Sequence, residues 1–211
     1  MSYAVKEIVR TIQGEGVYTG RPAVFVRFTG CNLWSGRETD RQAAICQFCD
    51  TDFLGTDGPG GGQFRNASDL AEAAQRVWGG DNFTRPLAVC TGGEPLLQLD
   101  EPLVAALQNA GFEVAIETNG TRLAPANVDW ICVSPKAGAE LRLKRGNELK
   151  LVYPQAGLDP GQFESLAFDW FFLQPMTGEQ TERNTQLTEN YCRAHPRWQL
   201  SMQTHKLLGL P

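Results

Sequence analysis

Short apolar runs recur along the chain, and several are separated by stretches with helical spacing. Ala23 to Phe28 reads AVFVRF, an apolar run of strand length interrupted by one cation, Arg27. From Asp69 to about Trp78 the apolar residues Leu70, Ala73, Ala74 and Val77 recur at helical spacing, with Ser68 as the expected N-cap and Asp69 and Glu72 in the first turn. Leu87 to Cys90 reads as a buried strand. A second helix is expected from about Glu101 to Ala110, with Asp100 as its cap and Gly111 as its stop. Further strands are expected at Phe112 to Glu117, Trp130 to Ser134, Glu148 to Tyr153 and Asp169 to Leu173. A weaker helix from about Glu182 to Ala194 and a last strand near Trp198 to Met202 complete the pattern. The alternation predicts an α/β fold with a largely parallel sheet. Connections such as Ala137 to Asn147 are too short and irregular to supply eight helices. The expected architecture is therefore a reduced partial TIM-type barrel of about six strands and about three helices, in a single domain over residues 1–211. Gly55 to Gly62 reads as a flexible loop within that domain.

Composition changes this picture little. With 42% hydrophobic and 20% charged residues, 211 residues suffice for one compact core. A net charge of −5 without a Lys/Arg stripe argues against a dedicated nucleic-acid grip. The N-terminus lacks an apolar signal region, and no apolar run is long enough to span a bilayer, so no membrane association and a cytoplasmic location are expected. Six cysteines in such a chain are then expected to be reduced.

Three of those cysteines are clustered. Cys31, Cys46 and Cys49 follow the first strong strand with the spacing C-x14-C-x2-C. Three thiolates suit a [4Fe–4S] cluster with one iron open to a small ligand, while structural zinc wants a fourth ligand. The only histidines, His195 and His205, are distant in sequence, and Cys90, Cys132 and Cys192 read as buried core thiols. On the triad alone, cluster and zinc stand near parity.

The strand ends add weight to the cluster. Thr91-Gly92-Gly93-Glu94-Pro95, Glu117-Thr118-Asn119-Gly120, Ser134-Pro135-Lys136 and Gln174-Pro175 each follow an expected strand, where barrel enzymes build their active sites. Paired glycines let a ligand approach the backbone, and the carboxylate after them suits an ammonium group. Arg27, in a buried strand beside Cys31, calls for an anion: a substrate carboxylate, or a structural ion pair.

Together these motifs resemble the radical SAM superfamily. The opening Thr11-Ile12-Gln13-Gly14-Glu15-Gly16, Tyr18-Thr19-Gly20, the block from Phe25-Val26-Arg27 to Gly30-Cys31-Asn32-Leu33 and the tail His205-Lys206-Leu207-Leu208-Gly209 make the chain similar to the 7-carboxy-7-deazaguanine synthases over nearly its whole length. The resemblance implies a lyase of queuosine and 7-deazapurine biosynthesis. It would convert 6-carboxy-5,6,7,8-tetrahydropterin to 7-carboxy-7-deazaguanine with loss of ammonia, through a 5′-deoxyadenosyl radical from S-adenosylmethionine. It also implies a role for each matched residue. Phe48, Cys49, Asp50, Gly92, Gly93, Glu94, Glu117, Ser134, Pro135, Lys136 and Gln174 would border S-adenosylmethionine. Ile12, Gln13, Gly14, Glu15, Arg27 and Thr91 would meet the pterin. Thr51 would ligate Mg2+, with Asp50 or Asp52 in support. A homodimer and a flavodoxin or ferredoxin donor are implied as partners.

The chain departs from the superfamily's short first gap, C-x3-C, with x14. Lengthening a loop from three to fourteen residues costs only about 1.4 kcal/mol of closure entropy, so the insertion predicts a local feature, a helix or a donor-facing surface, rather than loss of the cluster. The apolar tail is expected to fold over the site, bringing His205 or the Pro211 carboxylate to substrate. Two other functions remain open: an activase making a glycyl radical on a partner protein, and a non-catalytic zinc or iron–sulfur module.

Overall fold

The computed structural model describes residues 2–80 and 85–210. Nine strands are found among them: β1 (Tyr3–Ile12), β2 (Pro22–Phe28), β3 (Gly62–Phe64), β4 (Leu87–Gly92), β5 (Glu113–Thr118), β6 (Trp130–Val133), β7 (Arg145–Tyr153), β8 (Ala167–Pro175) and β9 (Trp198–Leu200). They form one sheet in the order β3-β1-β2-β4-β5-β6-β7-β8-β9. From β2 through β9 every neighbouring pair is parallel, whereas β1 runs antiparallel to both β2 and β3. The helices are α1 (Ala67–Trp78), α2 (Glu101–Asn109), α3 (Thr181–Ala194) and the single turn α4 (Thr204–Leu207). The result is a partial TIM-type barrel, with nine strands where about six were expected.

The extra strands have physical reasons for being hard to read. In β1, Tyr3, Val5 and Ile8 are buried, but the register shifts between Val5 and Glu7, so the apolar alternation slips midway. The stretch Gly55 to Gly62, expected to be a flexible loop, is instead docked on β1 and leads into β3. Ile8 N–H donates to the Pro59 carbonyl at 2.7 Å and Gly58 N–H to the Lys6 carbonyl at 3.0 Å. A Cβ on Gly61 would lie 2.1 Å from the Lys6 carbonyl oxygen, so the glycine permits the contact.

Helix α1 begins two residues earlier than Ser68 as cap would allow. Asn66 is extended, and its side chain accepts from Asp69 N–H at 2.9 Å, which puts Ser68 inside the first turn. Leu70, Ala71, Ala74 and Trp78 of α1, and Leu103, Val104 and Leu107 of α2, are buried in the main core. Asp100 caps α2 as expected, accepting from Leu103 N–H at 3.0 Å. Because the strands from β2 to β9 run parallel, their C-terminal ends share one edge, and the strand-end motifs all meet there. Among the described residues no helix is long and apolar enough to cross a membrane.

Candidate active site

The strand ends surround a cavity of 430 Å3 whose wall includes Cys31, Cys46 and Cys49. After β2 the chain reaches Cys31 and Leu33, then makes a closed excursion. The Leu33 carbonyl accepts from both Ile45 N–H (3.1 Å) and Cys46 N–H (3.2 Å), so residues 34–44 leave and return to one point. Within the excursion Glu38–Ala43 form a 3-10 turn. Arg41 lies over the Trp34 ring at 4.0 Å and donates to the carbonyls of Gln47 (2.9 Å) and Cys49 (3.0 Å). The fourteen-residue gap is thus bridged at its neck.

All three thiols are free, and burial pushes those of Cys31 and Cys46 up, so a metal must displace their protons to bind. Among the described residues no three His, Cys, Asp or Glu side chains are gathered tightly enough to hold a single metal ion. Cys132, expected to be a core thiol, also lines the cavity, but it leans on the Glu148 side chain. Three soft sulfurs spread around one cavity suit a multi-iron cluster better than a lone zinc ion.

The glycines of the Gly92-Gly93-Glu94-Pro95 segment serve the chain's own packing. A Cβ on Gly92 would lie 2.2 Å from the Phe28 carbonyl oxygen, and one on Gly93 2.1 Å from that of Gly30 and 3.0 Å from Cys31 Cβ. The close approach anchors the cysteine loop to β4, and both glycines still line the cavity. Glu94 does not line it. Its fully buried carboxylate accepts from Leu96 N–H (2.9 Å), Thr118 Oγ1 (2.7 Å) and Asn119 N–H (2.8 Å), tying β4 to β5. Three of its roughly four acceptor positions are thus taken by the chain, so Glu94 serves to hold the two strand ends together behind the wall.

The same cavity is lined by a cage of charged and amide groups. Lys150 on β7, only 6% exposed, pairs with both Glu15 and Glu117, the latter at 3.4 Å. Glu15 also accepts from Gln203 (2.8 Å) and Gln174 (3.2 Å), while Glu117 accepts from Gln13 (3.1 Å) and Thr91 Oγ1 (3.4 Å). Burial alone would push the Glu15 carboxyl up, but the Lys150 ammonium and the Gln203 amide outweigh it and hold it at about 2. Burial would lower Lys150, but Glu117 and Glu15 hold it firmly protonated. Glu148 accepts from Val17 N–H at 2.9 Å and so grips the loop that carries Glu15.

The other predicted residues divide between wall and support. Phe48, Asp50, Thr51, Ser134 and Lys136 line the cavity. Lys136 donates to the Ser134 carbonyl (2.6 Å) and hydroxyl (2.8 Å), and burial lowers its pKa. Pro135 is off the wall and accepts from Gln155 at 3.4 Å. Arg27 lines the cavity with its Nε donating to Glu7 at 2.8 Å, so the ion-pair alternative is realised in part. His205 lines the cavity and packs on Gly14, which with Ile12 stands behind the wall. Thr204 N–H donates to the Gly14 carbonyl at 3.0 Å, and Lys206 pairs with Asp50. Asp52 pairs with Lys6 at 2.9 Å, so neither aspartate is a bare carboxylate beside Thr51. Pro211 lies outside the described residues.

Sequence reasoning missed Lys150, Gln203 and Glu148. The signal for the first was available: a lysine inside the apolar strand ELKLVY is as conspicuous as Arg27 in AVFVRF.

No family model matches the chain. It is 59% identical, over all of both chains, to a 7-carboxy-7-deazaguanine synthase of Caulobacter vibrioides, and equally to one of Bradyrhizobium diazoefficiens. Among solved structures it resembles that of QueE from Escherichia coli, with a TM-score of 0.73 and 30% identity over 97% of this chain and 95% of that one.

Proposed function

The chain belongs to the 7-carboxy-7-deazaguanine synthase family, a radical SAM lyase family of queuosine biosynthesis, and from that premise we propose that it converts 6-carboxy-5,6,7,8-tetrahydropterin to 7-carboxy-7-deazaguanine and ammonia, with Mg2+. The carrying observation is that three free cysteines and the Gln13–Glu15–Glu117–Lys150 cage line one cavity. A [4Fe–4S] cluster on Cys31, Cys46 and Cys49 would supply the electron that cleaves S-adenosylmethionine.

The chain's own part is orientation. Gln13 presents its amide to the edge of a pterin, and Glu15, kept anionic, fixes Lys150, Gln174 and Gln203 around it. Glu117 and Gln174, expected at S-adenosylmethionine, are bonded to Gln13 and Glu15 and so are assigned to the pterin instead. Arg27, steadied by Glu7, offers its remaining guanidinium nitrogens to the substrate carboxylate. Phe48, Gly92, Gly93, Ser134 and Lys136 form the part of the wall suited to S-adenosylmethionine. Thr51 would give Mg2+ one oxygen, leaving the rest to substrate and water, as this ion tolerates. The domain then comprises a substrate loop around Gln13 and Glu15, a cysteine loop at 31–49, and a tail over the cavity. Redox supply by a flavodoxin or ferredoxin and assembly as a homodimer belong to the same proposal.

The test is anaerobic reconstitution with iron and sulfide, reduction with dithionite, and incubation with S-adenosylmethionine and the carboxypterin with and without Mg2+. Deazaguanine and ammonia in equal amounts are expected, more with Mg2+ than without. A colourless, zinc-bearing protein that forms no product would overturn the proposal.

A further inference from the structure

A second, open groove lies on the outer side of the cysteine loop. Its walls include Asn32, Thr121, Leu123, Arg122, Arg142 and Lys144. The one acid among its lining residues, Glu140, is paired with Arg142 at 3.4 Å. The three cations are exposed, and Leu123 between them is 73% exposed. A concentration of positive charge on a chain of net charge −5 is a local departure from the rest of the surface.

A thin wall divides this groove from the active cavity. Asn119, which lines the cavity, donates to Asn32 Oδ1 at 3.0 Å, and Asn32 donates to Thr121 Oγ1 at 2.9 Å. Thr121 Oγ1 closes the ring by donating to Asn119 Oδ1 at 2.7 Å. Asn32 is bonded covalently to Cys31. The Gly120 carbonyl accepts from Arg142 N–H (2.9 Å) and Leu143 N–H (3.0 Å), so the basic segment is fixed to the same turn as the wall. The excursion at 34–44, the other surface beside the cysteines, balances its own charges, Glu38 paired with Arg41 and Asp40 offset by Arg37. It offers a partner no net sign.

We propose that this basic groove docks an acidic one-electron carrier protein, and that the Asn32–Asn119–Thr121 wall is the route from the docked carrier to the Cys31 side of the cluster site. The proposal rests on the radical SAM reading above. One electron passes inward: the reduced carrier is oxidised, the cluster is reduced, and no bond or proton moves. Opposite charges on the two faces would raise the encounter rate and set the orientation.

The test compares wild type with the triple variant R122E/R142E/K144E, all exposed positions, after reconstitution. The probes are a flavodoxin kept reduced by NADPH and its reductase, and dithionite as a chemical donor. Charge reversal should raise both the flavodoxin Kd, measured by titration calorimetry, and the apparent KM for flavodoxin by about tenfold or more. Dithionite-driven turnover should stay unchanged. Wild-type binding should weaken with salt, and the variant should lose that dependence. An unchanged flavodoxin Kd would overturn the proposal, as would a variant that changes only its oligomeric state, since the face would then join copies of this chain. If wild type makes no product with dithionite, the functional reading fails, while the calorimetric comparison still decides the groove.

Discussion

Lys150 is a cation on a strand otherwise built for the core, and two carboxylates keep it there. Glu15 is brought to it from the loop after β1 and Glu117 from β5, so three separate elements depend on one ammonium group. Lys150→Met would leave both carboxylates short of their counter-charge inside the wall, and a stability loss of about 3–5 kcal/mol is expected in urea denaturation. The double variant K150M/E15Q should recover part of it, because it also removes one stranded charge. The same residues set an acid limit. The Glu15 carboxyl falls from an ordinary 4.5 to about 2 in the folded protein. A depressed carboxyl adds stability above its unfolded value, and that contribution is lost as pH falls from about 4.5 toward 2. Across that window wild type should lose stability more steeply than E15Q; parallel curves would refute the assignment. Single residues also show where sequence reading succeeds. Arg27 stood out because a cation interrupts a buried run, and Lys150 carried the same signal in ELKLVY. The bonds of Glu94 were harder to foresee, since a sequence does not show which carboxylate accepts from nearby backbone N–H groups and a threonine hydroxyl.

At the scale of elements, β2 and the strands from β4 to β8 were legible because a strand inside a largely parallel sheet is buried on both faces and reads as continuous apolar sequence. β1 was not, because its register shift cancels the two-residue period on which such a reading depends. The C-terminal segment has almost no core signature, with Leu207 72% and Leu208 62% exposed, yet Gln203, His205 and Lys206 line the cavity. Gln203 reaches Glu15, Thr204 binds Gly14 and Lys206 meets Asp50. Ending the chain after Met202 should therefore shift Tm by no more than a few degrees while raising KM for the carboxypterin by about tenfold or more. Iron content per chain should not change. A truncated protein that keeps its KM would show the tail to be dispensable for substrate.

For the whole molecule, the sheet is a barrel left open, and its two edge strands, β3 and β9, are three residues each. Short edges give other chains little backbone to pair with. The cysteine loop closes on itself at its neck at Leu33, and among its ties to the rest of the molecule are the glycine contacts to β4, the Asn32 bonds to Asn119 and Thr121, and the ring contact between Trp34 and Phe53. A bound cluster would cross-link this loop, so ligand binding and folding are coupled. Reconstituted protein should unfold at least about 5 °C above the same protein stripped of iron, measured by anaerobic calorimetry. Equal midpoints would mean that the thiols hold nothing that senses the fold.

The neck at Leu33 has a consequence for how such motifs are recognised. Because the carbonyl of Leu33 meets the amides of Ile45 and Cys46, the detour between them is a hernia in the chain whose length is free to vary. Genetic drift could swell it or shrink it, and an engineer could load it with an epitope, without moving a sulfur, provided that Arg41 keeps its hold on the carbonyls of Gln47 and Cys49. Counting residues from one cysteine to the next measures the detour; the chemistry answers to the neck.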